Sequence, residues 1–188
     1  MSSSRLIVVS APSGGGKTSI VKEILARHPE LEFSVSGTTR RKRPNETGGV
    51  DYFFLSKDEF ERLIQKRELV EYELIYGNYY GTLRREVDRA VRGGKTMVFD
   101  VDVKGALSIK RLYGERAVLI FIEPPSMSVL EQRLRDRKTE DEETFRKRME
   151  RVALELETGK QFDFRVVNDT LARAINEVDE IIEKQIQS

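Results

Sequence analysis

The sequence predicts an α/β fold, a parallel sheet flanked by helices, on three observations. Leu6-Ile7-Val8-Val9, Thr96-Met97-Val98-Phe99 and Ala117 to Ile122 are short apolar runs without alternating polar residues, as in strands buried on both faces of a parallel sheet. Helical patterns separate them, as right-handed crossovers between parallel strands require. A glycine-rich loop joins the first strand to the first helix.

Taken in order, Leu6 to Val9 stops at Ser10-Ala11-Pro12. From Lys17 onward Ile20, Val21, Ile24 and Leu25 fall at helix spacing, and Pro29 lies just beyond the helix end. A helical stretch from Val103 to Tyr113 separates the second and third apolar runs. Phe164 to Val167 reads as the last core strand, before a C-terminal helix from Leu171 to Gln185. These parts assign residues 1–33, 84–125 and 160–188 to one core. Two segments break the rhythm. Residues 34–83 are rich in Thr, Gly, Tyr and basic side chains. Their strand candidates, Tyr52 to Phe54 and Leu69 to Ile75, flank a helix opened by the capping box Ser56-Lys57-Asp58-Glu59, which predicts an inserted α+β subdomain. Residues 126–159 are helical and highly charged, a pattern that predicts a mobile flap.

Composition narrows the function. In 188 residues, 33 Lys+Arg against 32 Asp+Glu leave a net charge of +1, so no global field favours nucleic acid or an acidic membrane. Any anion site has to be local. Without cysteine there is no thiolate metal site or cysteine nucleophile, and a single histidine, His28, excludes a multi-histidine metal site. His28 itself reads as a surface residue at a helix end. The first apolar run is too short for a signal peptide or a membrane span, so the expected location is the cytoplasm. Monomer and homo-oligomer both stay open.

The strongest motif is Ala11-Pro12-Ser13-Gly14-Gly15-Gly16-Lys17-Thr18, a phosphate-binding loop in the required setting, strand before and helix after. Its glycines let backbone N–H groups converge on phosphate oxygens, Lys17 neutralises β/γ charge, and the Thr18 hydroxyl is a ligand for Mg²⁺. A second set of residues points to another phosphate: Ser36, Arg40 to Arg43, Tyr52, Glu71 and Gly77-Asn78-Tyr79-Tyr80-Gly81-Thr82. Taken singly, Arg40 to Arg43 also reads as a solvated basic loop, Gly77 to Gly81 as a hairpin turn, and Glu71 as a polar residue facing water.

Together these segments resemble the guanylate kinase family over essentially the whole chain. The likeness rests on Ser-Ala-Pro-Ser-Gly-x-Gly-Lys-Thr, Ser-Val-Ser-x-Thr-Thr-Arg, Gly-Asn-Tyr-Tyr-Gly-Thr, Asp-Val-Asp-x-x-Gly, Pro-Pro-Ser and Val-Val-Asn-Asp in that order. The resemblance implies a P-loop NTPase-type core, a GMP-binding subdomain at 34–83, a helical lid at 126–159, and transfer of the ATP γ-phosphate to GMP with Mg²⁺. It places Ser13, Gly14, Gly15, Gly16, Lys17 and Thr18 on ATP, with Asn168 and Asp169 on the adenine side. Arg40, Arg43, Tyr52 and Tyr80 would hold the GMP phosphate, while Ser36, Glu71 and Thr82 read the base. Chemistry supports this last assignment: guanine presents N1–H and the 2-amino group side by side, so one carboxylate accepts both, whereas adenine has an acceptor at N1.

By the same resemblance Asp100 lies near the magnesium through water, and Asp102 lies beside the GMP base and ribose. Without it, the two carboxylates simply cap a strand end. Arg133, Arg137 and Arg148 match lid arginines that close on the ATP phosphates. Arg135, Arg146 and Arg151 are expected to point elsewhere. Lys104 and Lys138 depart from the family pattern. Lys17, Arg43, Arg133, Arg137 and Arg148 are the expected catalytic cations, in a cleft expected to be strongly positive. The competing readings are a non-catalytic phosphopeptide-binding module of the same fold and a kinase for another small phosphate acceptor. The retained Lys17, Thr18 and lid arginines oppose the first, and Glu71 with Gly77 to Thr82 opposes the second.

Overall fold

The computed structural model describes residues 4–75, 77–135 and 142–187. Its main sheet contains β1 (Leu6–Ser10), β2 (Glu32–Phe33), β7 (Met97–Asp100), β8 (Ala117–Glu123) and β9 (Phe164–Val167), in the order β2-β7-β1-β8-β9. Every pairing in it is parallel. The chain leaves central β1 toward one edge and returns from β7 across it to β8. That reversal creates the crevice at the carboxyl ends of the strands where open α/β sheets bind ligands.

Residue alternation explains why both faces are covered. Ile7, Val9, Val98, Ile120 and Val166 pack under α1 (Lys17–Arg27) and α7 (Leu171–Gln187). Leu6, Val8, Met97, Phe99, Leu119 and Phe121 pack under α3 (Arg84–Arg92) and α4 (Val103–Tyr113). A strand whose two faces both meet helices has no polar face to show, hence the unbroken apolar runs.

A second sheet is built from residues 37–83, in the order β4-β3-β6-β5: β3 (Gly37–Thr38), β4 (Phe53–Phe54), β5 (Leu69–Ile75) and β6 (Asn78–Leu83). Its α2 (Lys57–Gln65) opens with the anticipated capping box: Ser56 Oγ accepts from the Glu59 N–H, and the Glu59 carboxylate accepts from the Ser56 N–H at 2.7 Å. Phe60, Leu69 and Leu83 form a small separate core there. Gly77 turns the chain at φ 79, and the residues after it run on as strand β6.

The charged helices α5 (Met127–Arg135) and α6 (Glu142–Gly159) share their own apolar contact through Leu130, Leu134 and Val152. Among the described residues no helix is long and apolar enough to cross a membrane.

Candidate active site

The register of the main sheet builds the first half of the site. Val9 lies opposite Asp100, so the loop leaving β1 passes beside the end of β7. Gly14 and Gly16 take φ 84 and 93, left-handed values that cost other residues strain. They fold the loop back on itself, with the Gly15 N–H donating to the Pro12 carbonyl at 2.8 Å. Lys17 and Thr18 then open α1. Lys17 Nζ stands 2.6 Å from Asp100 Oδ1 and donates to the Val101 carbonyl at 2.9 Å. The Thr18 hydroxyl donates to Asp100 Oδ2 at 3.3 Å. Three residues from two segments thus meet at the mouth of the loop. Ser13, Gly14, Gly15 and Gly16 line the adjoining cavity of about 330 Å³.

Asn168 lies beneath this loop. It is buried, and its Nδ2 donates to the Gly15 carbonyl at 2.8 Å. Asp169 faces outward, accepting from the Thr170 N–H at 2.6 Å and pairing with Arg173 at 2.7 Å. The Asn-Asp pair expected on the adenine side therefore divides, Asn168 bracing the phosphate loop and Asp169 securing the start of α7.

The second half of the site grows from a bulge. Between Leu69 and Glu71 the β5–β6 register shifts, leaving Glu71 opposite Thr82, and bulges re-aim side chains in this way. The Thr82 hydroxyl donates to Glu71 Oε1 at 2.6 Å. Burial raises the Glu71 carboxyl above its ordinary value, against the lowering effect of Thr82. Its other oxygen rests against the start of α4, where a Cβ on Gly105 would come within 2.7 Å of Oε2; only glycine admits the carboxylate there. Asp102 caps α4 by accepting from the Gly105 N–H at 2.8 Å. Burial, and after it the neighbouring Glu73 carboxylate, raises the Asp102 carboxyl. Ser36, Glu71, Glu73, Tyr80 and Asp102 line a cavity of about 190 Å³.

Beyond it lies a cavity of about 520 Å³ whose walls include Arg40, Arg43, Tyr52 and Tyr80. Arg40 is held by a two-pronged bond to Glu46, at 2.6 and 3.1 Å, and stacks 5.4 Å over the Tyr52 ring. The Arg40 guanidinium, with the Arg43 backbone N–H, lowers the Glu46 carboxyl to about 2. Burial pushes the Tyr52 phenol up to about 12. Arg40 is therefore an oriented donor, while the other three basic residues of the loop, Arg41, Lys42 and Arg43, are exposed.

From α6, Arg148 reaches the wall of the phosphate-loop cavity. Arg133 Nη2 donates to the Asn168 carbonyl at 3.2 Å. Arg137 and Lys138 fall outside the described residues. Arg135 and Arg146 point away, onto Glu131 and Glu150, as expected. Arg151 does not. It lines the cavity with Arg148 and bonds Glu73, Asp102 and Glu155, because residues three apart on a helix share a face. The cleft is not uniformly positive either. Lys17 is matched by Asp100 and Arg40 by Glu46, and the cavity around Glu71 is predominantly acidic.

The three cavities share walls, Lys17 and Asp102 joining the first to the second, and Ser36, Tyr52, Tyr80 and Asp100 the second to the third. A phosphate loop at the switch point of a parallel sheet, facing a basic pocket along one cleft, defines a P-loop nucleotide kinase by class. The guanylate kinase family model matches residues 3–185, and the chain belongs to that family. It is 48% identical over 174 residues to a guanylate kinase of Chlorobaculum tepidum, covering 93% of this chain and 89% of that one. It is 47% identical over 180 residues to a guanylate kinase of Chlorobium chlorochromatii, with 96% and 95% covered. The crystal structure of guanylate kinase from Anaplasma phagocytophilum superposes with a TM-score of 0.81 at 28% identity, covering all of this chain and 89% of that one.

Proposed function

We propose that this chain transfers the γ-phosphate of ATP to GMP, and to dGMP, giving ADP and GDP or dGDP. The observation that carries the reading is the cleft in which a partly buried carboxylate, Glu71, lies between the phosphate loop and the Arg40–Tyr52–Tyr80 cradle. Membership of the guanylate kinase family supports it.

In this reading the phosphate loop and Lys17 hold the β- and γ-phosphates of ATP. Arg40, Arg43, Tyr52 and Tyr80 hold the GMP phosphate and aim one of its oxygens at the γ-phosphorus. Glu71, oriented by Thr82, accepts the guanine N1–H and 2-amino hydrogens, with Ser36 and Asp102 beside it. Thr18 Oγ1 and the Asp100 carboxylate offer adjacent hard oxygen donors, a set that suits magnesium. When bound with ATP, that ion neutralises charge on the β- and γ-oxygens. Transfer passes through a loose transition state, so the work of the protein is positioning and charge neutralisation by Lys17, Arg43, Arg133, Arg137 and Arg148. We assign residues 34–83 to GMP binding and 126–159 to a lid that excludes water from the reacting phosphates.

The test is ADP formation from ATP with GMP, dGMP, AMP, CMP or UMP as acceptor. GMP and dGMP should support turnover. Equal use of AMP, or no acceptor-dependent turnover, would overturn the assignment.

A further inference from the structure

Arg151 sits one helical turn beyond Arg148 on α6 and joins three parts of the molecule. Its Nη2 lies 2.9 Å from Glu73 Oε2 on β5 and 3.1 Å from Asp102 Oδ2 at the cap of α4, and its Nε lies 2.9 Å from Glu155 Oε1 on its own helix. The side chain is 26% exposed, against 46% for Arg135 and 68% for Arg146, so this guanidinium is half-desolvated where its neighbours are solvated. Glu73 lies two residues beyond Glu71 on β5 and so shares its face, and both line the cavity that also contains Asp100 and Asp102. Four carboxylates thus converge where a dianionic nucleotide has to enter, and Lys17 is paired with one of them, Asp100. Lys104 approaches Glu73 only to 3.7 Å and is 65% exposed, which leaves Arg151 as the principal counter-charge to Glu73 and Asp102 among the described residues.

We propose that Arg151 is a positioning residue that latches the lid helix to the guanine pocket by gripping Glu73 and Asp102. The inference rests on the assignment of this cavity to GMP. The grip does two things. It offsets the negative charge that would otherwise repel GMP, and it fixes the rotation of α6, with Arg148, relative to the sheet that reads the base. Binding of the acceptor base and placement of the lid arginine are thereby coupled through one side chain.

The experiment is steady-state kinetics on the full chain, comparing wild type with R151A, R151K, E73Q and R151A/E73Q, each checked by thermal unfolding. Loss of a charge-assisted contact in a half-desolvated site should raise KM for GMP by roughly ten- to a hundredfold in R151A. KM for ATP should stay within about twofold and kcat should fall less than KM rises, because uniform binding of one substrate has been lost. R151K should recover part of the loss. Adding E73Q to R151A should recover part as well, since it removes a charge the arginine had offset. A purely structural role would lower the unfolding temperature without selecting GMP over ATP, and would gain nothing from E73Q. If R151A fails to fold, R151K, which keeps the charge and loses the fork, carries the test by the same selective rise. An unchanged KM for GMP, or equal rises for both substrates, overturns the inference. A wild-type chain that does not use GMP overturns the parent assignment instead.

Discussion

Thr82 donates its hydroxyl to the Glu71 carboxylate across 2.6 Å, from one strand of the small sheet to its neighbour. That bond fixes a partly buried carboxylate in one rotamer and leaves its second oxygen at the start of α4. In Thr82→Val, of similar shape, the carboxylate keeps its charge and loses its anchor. KM for GMP should rise about tenfold, the usual worth of a hydrogen bond to a charged group, while KM for ATP holds. Equal effects on both substrates would show that Thr82 serves only the fold.

Lys17 bridges α1 and β7 through Asp100, so removing it loosens an ion pair as well as the nucleotide site. Both side chains of the pair are 20% exposed, so leaving Asp100 without its partner costs more than the about 0–1 kcal/mol of a surface pair. Lys17→Met should therefore lower the unfolding temperature and also lose roughly 10³-fold or more in kcat. A large drop in unfolding temperature with kcat retained would contradict the assignment.

Arg148 lines the phosphate-loop cavity from α6, the helix assigned to a lid. If it neutralises the transferring group, as an arginine finger does, Arg148→Ala should lose roughly 10³-fold in kcat with little change in either KM. Intact turnover in that variant would remove the lid from the chemistry.

Away from the cleft, the His28 ring at the end of α1 donates from Nε2 to Asp179 of α7 at 2.5 Å, and as imidazolium from Nδ1 to Glu30 at 3.1 Å. The hydrogen bond with Asp179 holds the imidazole above its ordinary value, although burial opposes this. Such a group stabilises the fold fully below its unfolded value of 6.5 and loses that contribution as pH rises through its folded value. Asp179 works in the other direction. Burial raises it, but Arg27 and His28 hold it below its ordinary value, so its share is lost only as acid protonates it. The stability of wild type over His28→Gln, measured by urea unfolding, should be largest below pH 6.5 and shrink above it. A difference that does not vary with pH would contradict the pairing.

Much of this architecture is legible in the sequence where one physical cause dominates. Val103–Tyr113 and Phe164–Val167 have the bounds that periodicity gives, and Ser56 with Glu59 announces α2 through its cap. Two-residue strands such as Glu32–Phe33 and Gly37–Thr38 carry too few side chains for a period, and only their partners make them strands. Helix α3 was also illegible, since Val87 and Ala90 are its only buried residues. In the site, the phosphate loop is local and readable, whereas Glu71 taken alone reads as a strand residue facing water, and its place opposite Thr82 comes from the β5–β6 pairing. Arg151 is not readable either, because its partners Glu73 and Asp102 come from distant segments and nothing on α6 announces them. Asn168 likewise reads as a loop residue until the fold brings Gly15 above it.

In the proposed function Glu71 reads the N1–H and 2-amino edge of guanine. The most direct test is kcat/KM for GMP against IMP, whose base keeps N1–H and lacks the 2-amino group. A partly buried carboxylate that loses the 2-amino donor predicts that IMP is poorer by about 10²-fold or more, with AMP poorer still; parity between GMP and IMP would contradict it.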